Sequence, residues 1–198
     1  MATPRPEPVQ LHEHAMDNLR YIRRTLERAG EFTAVPGIGG MLMGSTALVA
    51  AWIAGPGMPT PRWLTIWLAE AVVALLIGIA AAAHKSKRVR IPLLSGPGRK
   101  FVAGLAPAMV AGAVLTLVLF RQGNPATLPG VWLLLYGTGV VSGGASSVRV
   151  VPAMGALFML AGGLALLLTP AWGNSLLAVG FGGLHIVFGT IIAVKYGG

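Results

Sequence analysis

Three side chains could do chemistry inside otherwise apolar stretches of this sequence: Glu70, Tyr136 and His185. A carboxyl group and an imidazole that meet inside a membrane can form a proton-responsive or cation-binding site. A simpler interpretation is structural: a neutral Glu70 is hydrogen-bonded to Tyr136, to His185 or to a backbone carbonyl, and fixes the register of its helix. Because a charge in lipid is costly, either role requires a cavity or a polar partner. Both interpretations stay open from the sequence.

The remaining polar residues argue against catalysis and metal binding. Glu70 is the only acid beyond residue 31, whereas paired-carboxylate catalysis needs a second acid and a divalent metal site needs several oxygen ligands. The cytoplasmic end of the fourth apolar stretch contains Ser142, Ser146 and Ser147, whereas His185 lies in the outer half of the membrane. This difference in depth argues against a serine–histidine pair. The chain has no cysteine. We therefore expect no enzyme activity, no metal and no cofactor.

The apolar stretches that carry these residues are long enough to cross a membrane. Hydrophobic residues make up 55% of the chain and charged residues 11%, against roughly 25% charged in a soluble domain. A spanning helix needs about 20 mostly apolar residues. Six windows approach that length: 37–55, 63–83, 101–120, 130–148, 150–169 and 175–194. We predict an all-α, six-helix membrane bundle over 37–198, preceded by a cytoplasmic tail and an amphipathic helix over 1–36.

Lysine and arginine are concentrated in alternate links between these windows. With the N-terminus inside, the inner side of the membrane domain holds Lys85, Lys87, Arg88, Arg90, Arg99, Lys100, Arg149 and Lys195. The outer side holds only Arg62 and Arg121. Positive residues favour the cytoplasmic side, so we predict that both termini are cytoplasmic, in a bacterial inner membrane.

The basic link between the second and third windows has a lipid-related interpretation. It contains Lys85, Lys87, Arg88, Arg90, Arg99 and Lys100. Such residues retain a loop on the cytoplasmic side and contact anionic headgroups of the lipid bilayer. No aromatic or glycine-rich motif accompanies them, so we expect no nucleic-acid binding despite the formal net charge of +9.

The N-terminal segment has the apolar spacing of an amphipathic helix. One stripe consists of Leu11, Ala15, Leu19, Ile22, Leu26 and Ala29. Three interpretations fit this stripe: a helix in the membrane interface, a short coiled coil with another subunit, or a docking site for a soluble partner. Residues 9–30 are therefore the predicted contact for a homo-oligomer or a partner protein.

Small residues recur at helical spacing in the windows, as they do where membrane helices pack closely. The predicted packing glycines are Gly40, Gly44, Gly78, Gly104, Gly112, Gly139, Gly143, Gly182 and Gly189. Glu70, Tyr136 and His185 continue these stripes, so they are predicted to face the bundle interior. At about 1.5 Å per residue they lie roughly 10, 9 and 16 Å from the outer helix ends, within plausible reach of one another.

The first and fifth windows begin alike, with "VPGIGGMLM" at Val35 and "VPAMGALFM" at Val151, and the third contains "APAM" at Ala106. This similarity favours three repeats of a two-helix hairpin. The sequence as a whole supports two functional hypotheses. The first is a non-enzymatic membrane protein that assembles with itself or with a partner. The second is a small proton- or cation-linked transporter or channel that uses Glu70 and His185.

Overall fold

The computed structural model describes residues 14, 16–19, 21–22, 35–57, 59–89 and 96–197. The chain forms two compact units, Met1–Glu31 and Phe32–Gly198. The described residues of the first unit are helical. Most of the predicted amphipathic helix over 9–30, and Arg90 of the basic link, lie outside the described residues.

Six helices of the second unit are long and apolar enough to cross a membrane. Five of the spans contain α1 (Gly37–Ala54), α2 (Pro61–Val89), α3 (Gly96–Arg121), α4 (Leu128–Gly144) and α5 (Val150–Leu167). The sixth span contains α6 (Gly173–Leu177), a π-helical segment (Ala178–Leu184) and α7 (His185–Tyr196). The described part of the chain contains no β-strand, and the predicted all-α six-helix bundle is confirmed.

Two helices are longer than their apolar windows. α2 continues to Val89 through the basic residues Lys85, Lys87 and Arg88, which are good helix formers and interact favourably with the negative end of a helix dipole. α3 begins at Gly96 and contains Pro107. The apolar windows therefore predict the membrane-spanning part of each helix, but they do not predict where the helix begins or ends.

The helices are packed to different depths. The most extensive contacts join α4 with α5, α3 with α4, α1 with α7 and α1 with α2. Only 6% of the apolar window is buried in the spans of α2 and α3, against 33–44% in the other four. α2 and α3 therefore lie at the edge of the bundle and expose their apolar side chains to the lipid bilayer. The origin of the bundle from three repeated hairpins stays a prediction.

The closest helix contacts occur at glycines. A Cβ on Gly189 of α7 would lie 2.7 Å from the carbonyl oxygen of Gly37 on α1, and a Cβ on Gly104 of α3 would lie 2.5 Å from the backbone nitrogen of Gly143 on α4. Contacts of 2.9 Å or less surround the hypothetical Cβ atoms of Gly44, Gly139, Gly143 and Gly182, and the nearest atom to one on Gly40 is 3.3 Å away. Two predicted packing glycines have more space: the nearest atoms are 3.3 Å from a Cβ on Gly78 of α2 and 3.7 Å from one on Gly112 of α3.

The helix pair with the most extensive contacts, α4 and α5, uses glycines that the stripes did not identify. A Cβ on Gly137 of α4 would lie 2.6 Å from the carbonyl oxygen of Gly155 on α5, and one on Gly162 would lie 2.6 Å from the nitrogen of Leu134. Gly130 packs against Leu166 and Gly162 in the same way. The available signal is a spacing of seven, or two helical turns, which separates Gly130 from Gly137 and Gly155 from Gly162.

Candidate functional site

His185 is the most constrained ionisable side chain inside the bundle. It is 5% exposed. Its Nδ1 lies 2.9 Å from the carbonyl oxygen of Phe181, and its Nε2 lies 2.7 Å from the hydroxyl of Tyr136. Since a carbonyl oxygen can only accept, Nδ1 carries the proton, and Nε2 accepts from the Tyr136 hydroxyl. Both nitrogens of a neutral imidazole are then satisfied.

A π-helical segment precedes His185 in the sixth span. The backbone N–H of His185 donates to the carbonyl of Gly182, whereas in a regular α-helix it would donate to the carbonyl of Phe181. The Phe181 oxygen can therefore receive the imidazole N–H instead. Short π-helical segments within α-helices frequently occur at functional sites.

Three aromatic rings contact the imidazole of His185: those of Tyr136, Phe158 and Phe181. The ring of Phe158, which is 0% exposed, lies 4.7 Å from that of Tyr136 and 5.3 Å from those of Phe181 and His185. Tilted and edge-to-face arrangements of this kind are the favourable ones for aromatic pairs. Ring contacts extend through Trp67 to a stacked pair, Trp63 and Trp132. We call these seven residues the aromatic cluster.

A buried amide, Asn174, completes one end of the aromatic cluster. Its Oδ1 accepts hydrogen bonds from the indole nitrogens of Trp63 and Trp67, each at 3.0 Å, and its Nδ2 donates to the carbonyl oxygen of Ala51 at 3.0 Å. Asn174 is 8% exposed. One amide thus joins the first, second and sixth spans. Sequence reasoning missed it; the signal is the pair Trp63 and Trp67, four residues apart on one helix face.

Glu70 lies apart from His185 in a pair of its own. It is half-buried on α2, and its Oε1 lies 2.8 Å from the hydroxyl oxygen of Thr46 on α1. That hydroxyl also lies 2.9 Å from the carbonyl oxygen of Met43 and has a single proton to donate. Donated to Oε1 of Glu70, this proton forms a hydrogen bond that joins α1 to α2.

The structure thus brings Tyr136 and His185 together, and it pairs Glu70 with Thr46. The sequence placed all three within reach of one another because depth along a helix can be counted. It could not show which neighbouring helix each side chain meets. The three candidate residues are thus found in two hydrogen-bonded pairs, and their role as a site stays a prediction.

The basic residues at the end of α2 and the start of α3 are of two kinds. Lys85 is 5% exposed; its ammonium donates to the carbonyl oxygens of Val35 at 3.0 Å and Tyr196 at 3.2 Å, and to that of Gly197. A lysine in this position satisfies carbonyls at a helix C-terminus and complements the helix dipole. The exposed residues are Lys87, Arg88, Arg99 and Lys100. Lys85 therefore joins the end of α2 to the segment before α1 and to the end of α7, and it is not among the exposed basic residues.

Within the described ranges, no three histidine, cysteine or acidic side chains are close enough to hold a metal ion. No known protein family matches the chain, and neither the curated proteins nor the solved structures contain a match.

Proposed function

We propose that this protein is a non-enzymatic membrane component that acts by assembling with itself or with a partner protein. The observation that carries the proposal is the bonding of the interior polar side chains. Each of three polar side chains bonds to a span other than its own: Asn174, His185 and Glu70. Groups that bind or transport a substrate need free bonding capacity, whereas these groups use theirs to hold helices together.

The exposed apolar faces of α2 and α3 are large enough to contact another membrane protein. α2 and α3 lie at the edge of the bundle, with side chains such as Leu75 and Val110 more than 60% exposed, at 62% and 63%. In a membrane, such faces are covered by lipid or by the close-packed face of another helix. The amphipathic stripe within residues 9–30 provides a second contact. We place both termini in the cytoplasm of a bacterial inner membrane, because the basic residues lie mostly on one side.

Assembly is tested by cross-linking in native membranes, followed by measurement of the mass of the cross-linked species. We expect the full-length chain to give a species heavier than the 20.4 kDa monomer. Deletion of residues 9–30 should abolish it, and so should Leu19→Ser combined with Ile22→Ser, which removes part of the apolar stripe. Asn18→Ser combined with Tyr21→Ser, at neighbouring positions off that stripe, is the matched control and should leave the mass unchanged. A monomer mass for the full-length chain would overturn the proposal, and an equally heavy species from all four proteins would overturn the contact through residues 9–30.

A transporter or channel is the second candidate, and it is favoured by one observation. Tyr136, His185 and the carbonyl of Phe181 form a continuous row of hydrogen bonds beside a π-helical segment, and Glu70 lies in the same membrane domain. Proton pathways through membranes use such rows of ionisable groups. This candidate requires water to reach Glu70 from one side, so access of water to Glu70 separates the two functions.

A further inference from the structure

An open groove runs along the outside of the bundle between α1 and α2. Its volume is about 460 Å³, within the range of roughly 300–1,000 Å³ typical of small-molecule sites. Ile38 and Leu42 form one wall, and each is 53% exposed; Ile77 and Ala80 form the other. All four side chains are apolar and lie on spans that face the bilayer. The groove therefore suits a hydrocarbon chain.

Basic side chains close one end of this groove. His84, Lys85 and Arg88 line it there. The ammonium of Lys85 is held by backbone carbonyls, which fixes one positive charge in place. His84 and Arg88 are exposed and are four residues apart, so they lie on the same face of α2.

No acid of the membrane domain offsets these charges nearby. Beyond residue 31 the only acid is Glu70, and the fourteen residues from Glu70 to His84 correspond to about 21 Å along a helix. The guanidinium of Arg88, which is exposed and far from Glu70, is well suited to bind a phosphate group. The groove thus combines an apolar length with a positively charged end.

We infer that this groove binds one anionic phospholipid of the surrounding membrane. The phosphate of the headgroup lies against Arg88 and His84, and one acyl chain lies between α1 and α2. Basic pockets between membrane helices bind anionic headgroups in this way. The inference does not rest on the proposed assembly. It also goes beyond a general attraction of the basic link to headgroups, because only a defined site distinguishes Arg88 from its neighbour Lys87.

Native mass spectrometry of the full-length protein in detergent, with phosphatidylglycerol or phosphatidylcholine added, tests the inference. We expect one phosphatidylglycerol molecule to be retained and phosphatidylcholine to bind more weakly. Arg88→Gln should weaken retention of phosphatidylglycerol by roughly fivefold, the usual effect of one basic side chain near anionic lipid. Lys87→Gln is its matched control, because Lys87 is exposed on the same turn and does not line the groove. Since Arg88 is exposed, its replacement should leave the fold intact.

A second pair of variants tests the apolar part of the site. Ala80→Phe fills the groove and should reduce binding of either lipid, whereas Ala71→Phe adds the same ring at an exposed position outside it. Equal retention of the two lipids, or equal effects of Arg88→Gln and Lys87→Gln, would overturn the assignment of an anionic headgroup site. Unchanged binding by Ala80→Phe would overturn the place of the acyl chain in the groove.

Discussion

Replacing Asn174 with alanine is expected to destabilise the bundle more than any other single change of a polar side chain. The substitution removes three hydrogen bonds between spans, two from the indoles of Trp63 and Trp67 and one to the carbonyl of Ala51. Hydrogen bonds between membrane helices contribute about 0.6 kcal/mol on average and about 1.7 kcal/mol at most. Three of them give a loss of about 2–5 kcal/mol in the free energy of unfolding.

The loss is measured by unfolding the protein in mixed micelles while tryptophan emission is followed. Trp63 and Trp67 are each 3% exposed, so they also report whether the end of the aromatic cluster opens. Asn124→Ala is the matched control, because Asn124 is exposed in the link between α3 and α4. If Asn174→Ala and Asn124→Ala unfold at the same denaturant concentration, Asn174 does not join the spans as described.

Replacing Gly155 with alanine is the second change with a large expected effect. The added Cβ would lie 2.7 Å from the carbonyl oxygen of Gly137 and 2.8 Å from the nitrogen of Val141. Both neighbours are backbone atoms of α4, so the contact can be relieved only if α4 and α5 separate. Overpacking of this kind costs about 1–3 kcal/mol, and the better helix propensity of alanine offsets part of it.

Gly163 provides a control on the same helix. A Cβ added there would meet nothing within 4 Å, so Gly163→Ala should leave stability unchanged or raise it by up to about 1 kcal/mol, the difference in helix propensity. Unfolding midpoints of the two variants should therefore move in opposite directions from the unsubstituted protein, or only that of Gly155→Ala should move. A lower midpoint for Gly163→Ala than for Gly155→Ala would contradict the packing of α4 against α5.

The membrane spans were predictable because they depend on local sequence alone. A window of about 20 apolar residues can satisfy its backbone in lipid only as a helix, so the six spans follow from composition. The depth of a residue within a span follows from the helical rise. For this reason Tyr136 and His185, which do bond to each other, could be named as candidate partners before the structure.

Contacts between distant spans were not predictable in the same way. Asn174 bonds to Trp63, 111 residues away in the chain, and nothing in the sequence around Asn174 indicates this partner. Glu70 is hydrogen-bonded to Thr46 because α2 packs against α1. The order of helices around the bundle is a property of the whole fold, which local sequence does not show. The predicted contact of Lys85 with headgroups rests on local charge alone, because a single sequence does not show that the start of α1 and the end of α7 lie beside it.

If the protein acts by assembly, as we propose, the interior of its bundle is closed to water. The chain has no cysteine, so a single cysteine in a full-length variant reacts alone with a polar, membrane-impermeant maleimide in lipid nanodiscs. Thr46→Cys puts the thiol where Thr46 contacts Glu70. Gln122→Cys, in the exposed link after α3, is the accessible reference, and Leu75→Cys on the apolar side of α2 is the inaccessible one. We predict that Thr46→Cys is labelled as slowly as Leu75→Cys, and labelling as fast as that of Gln122→Cys would contradict a closed interior and favour the transporter.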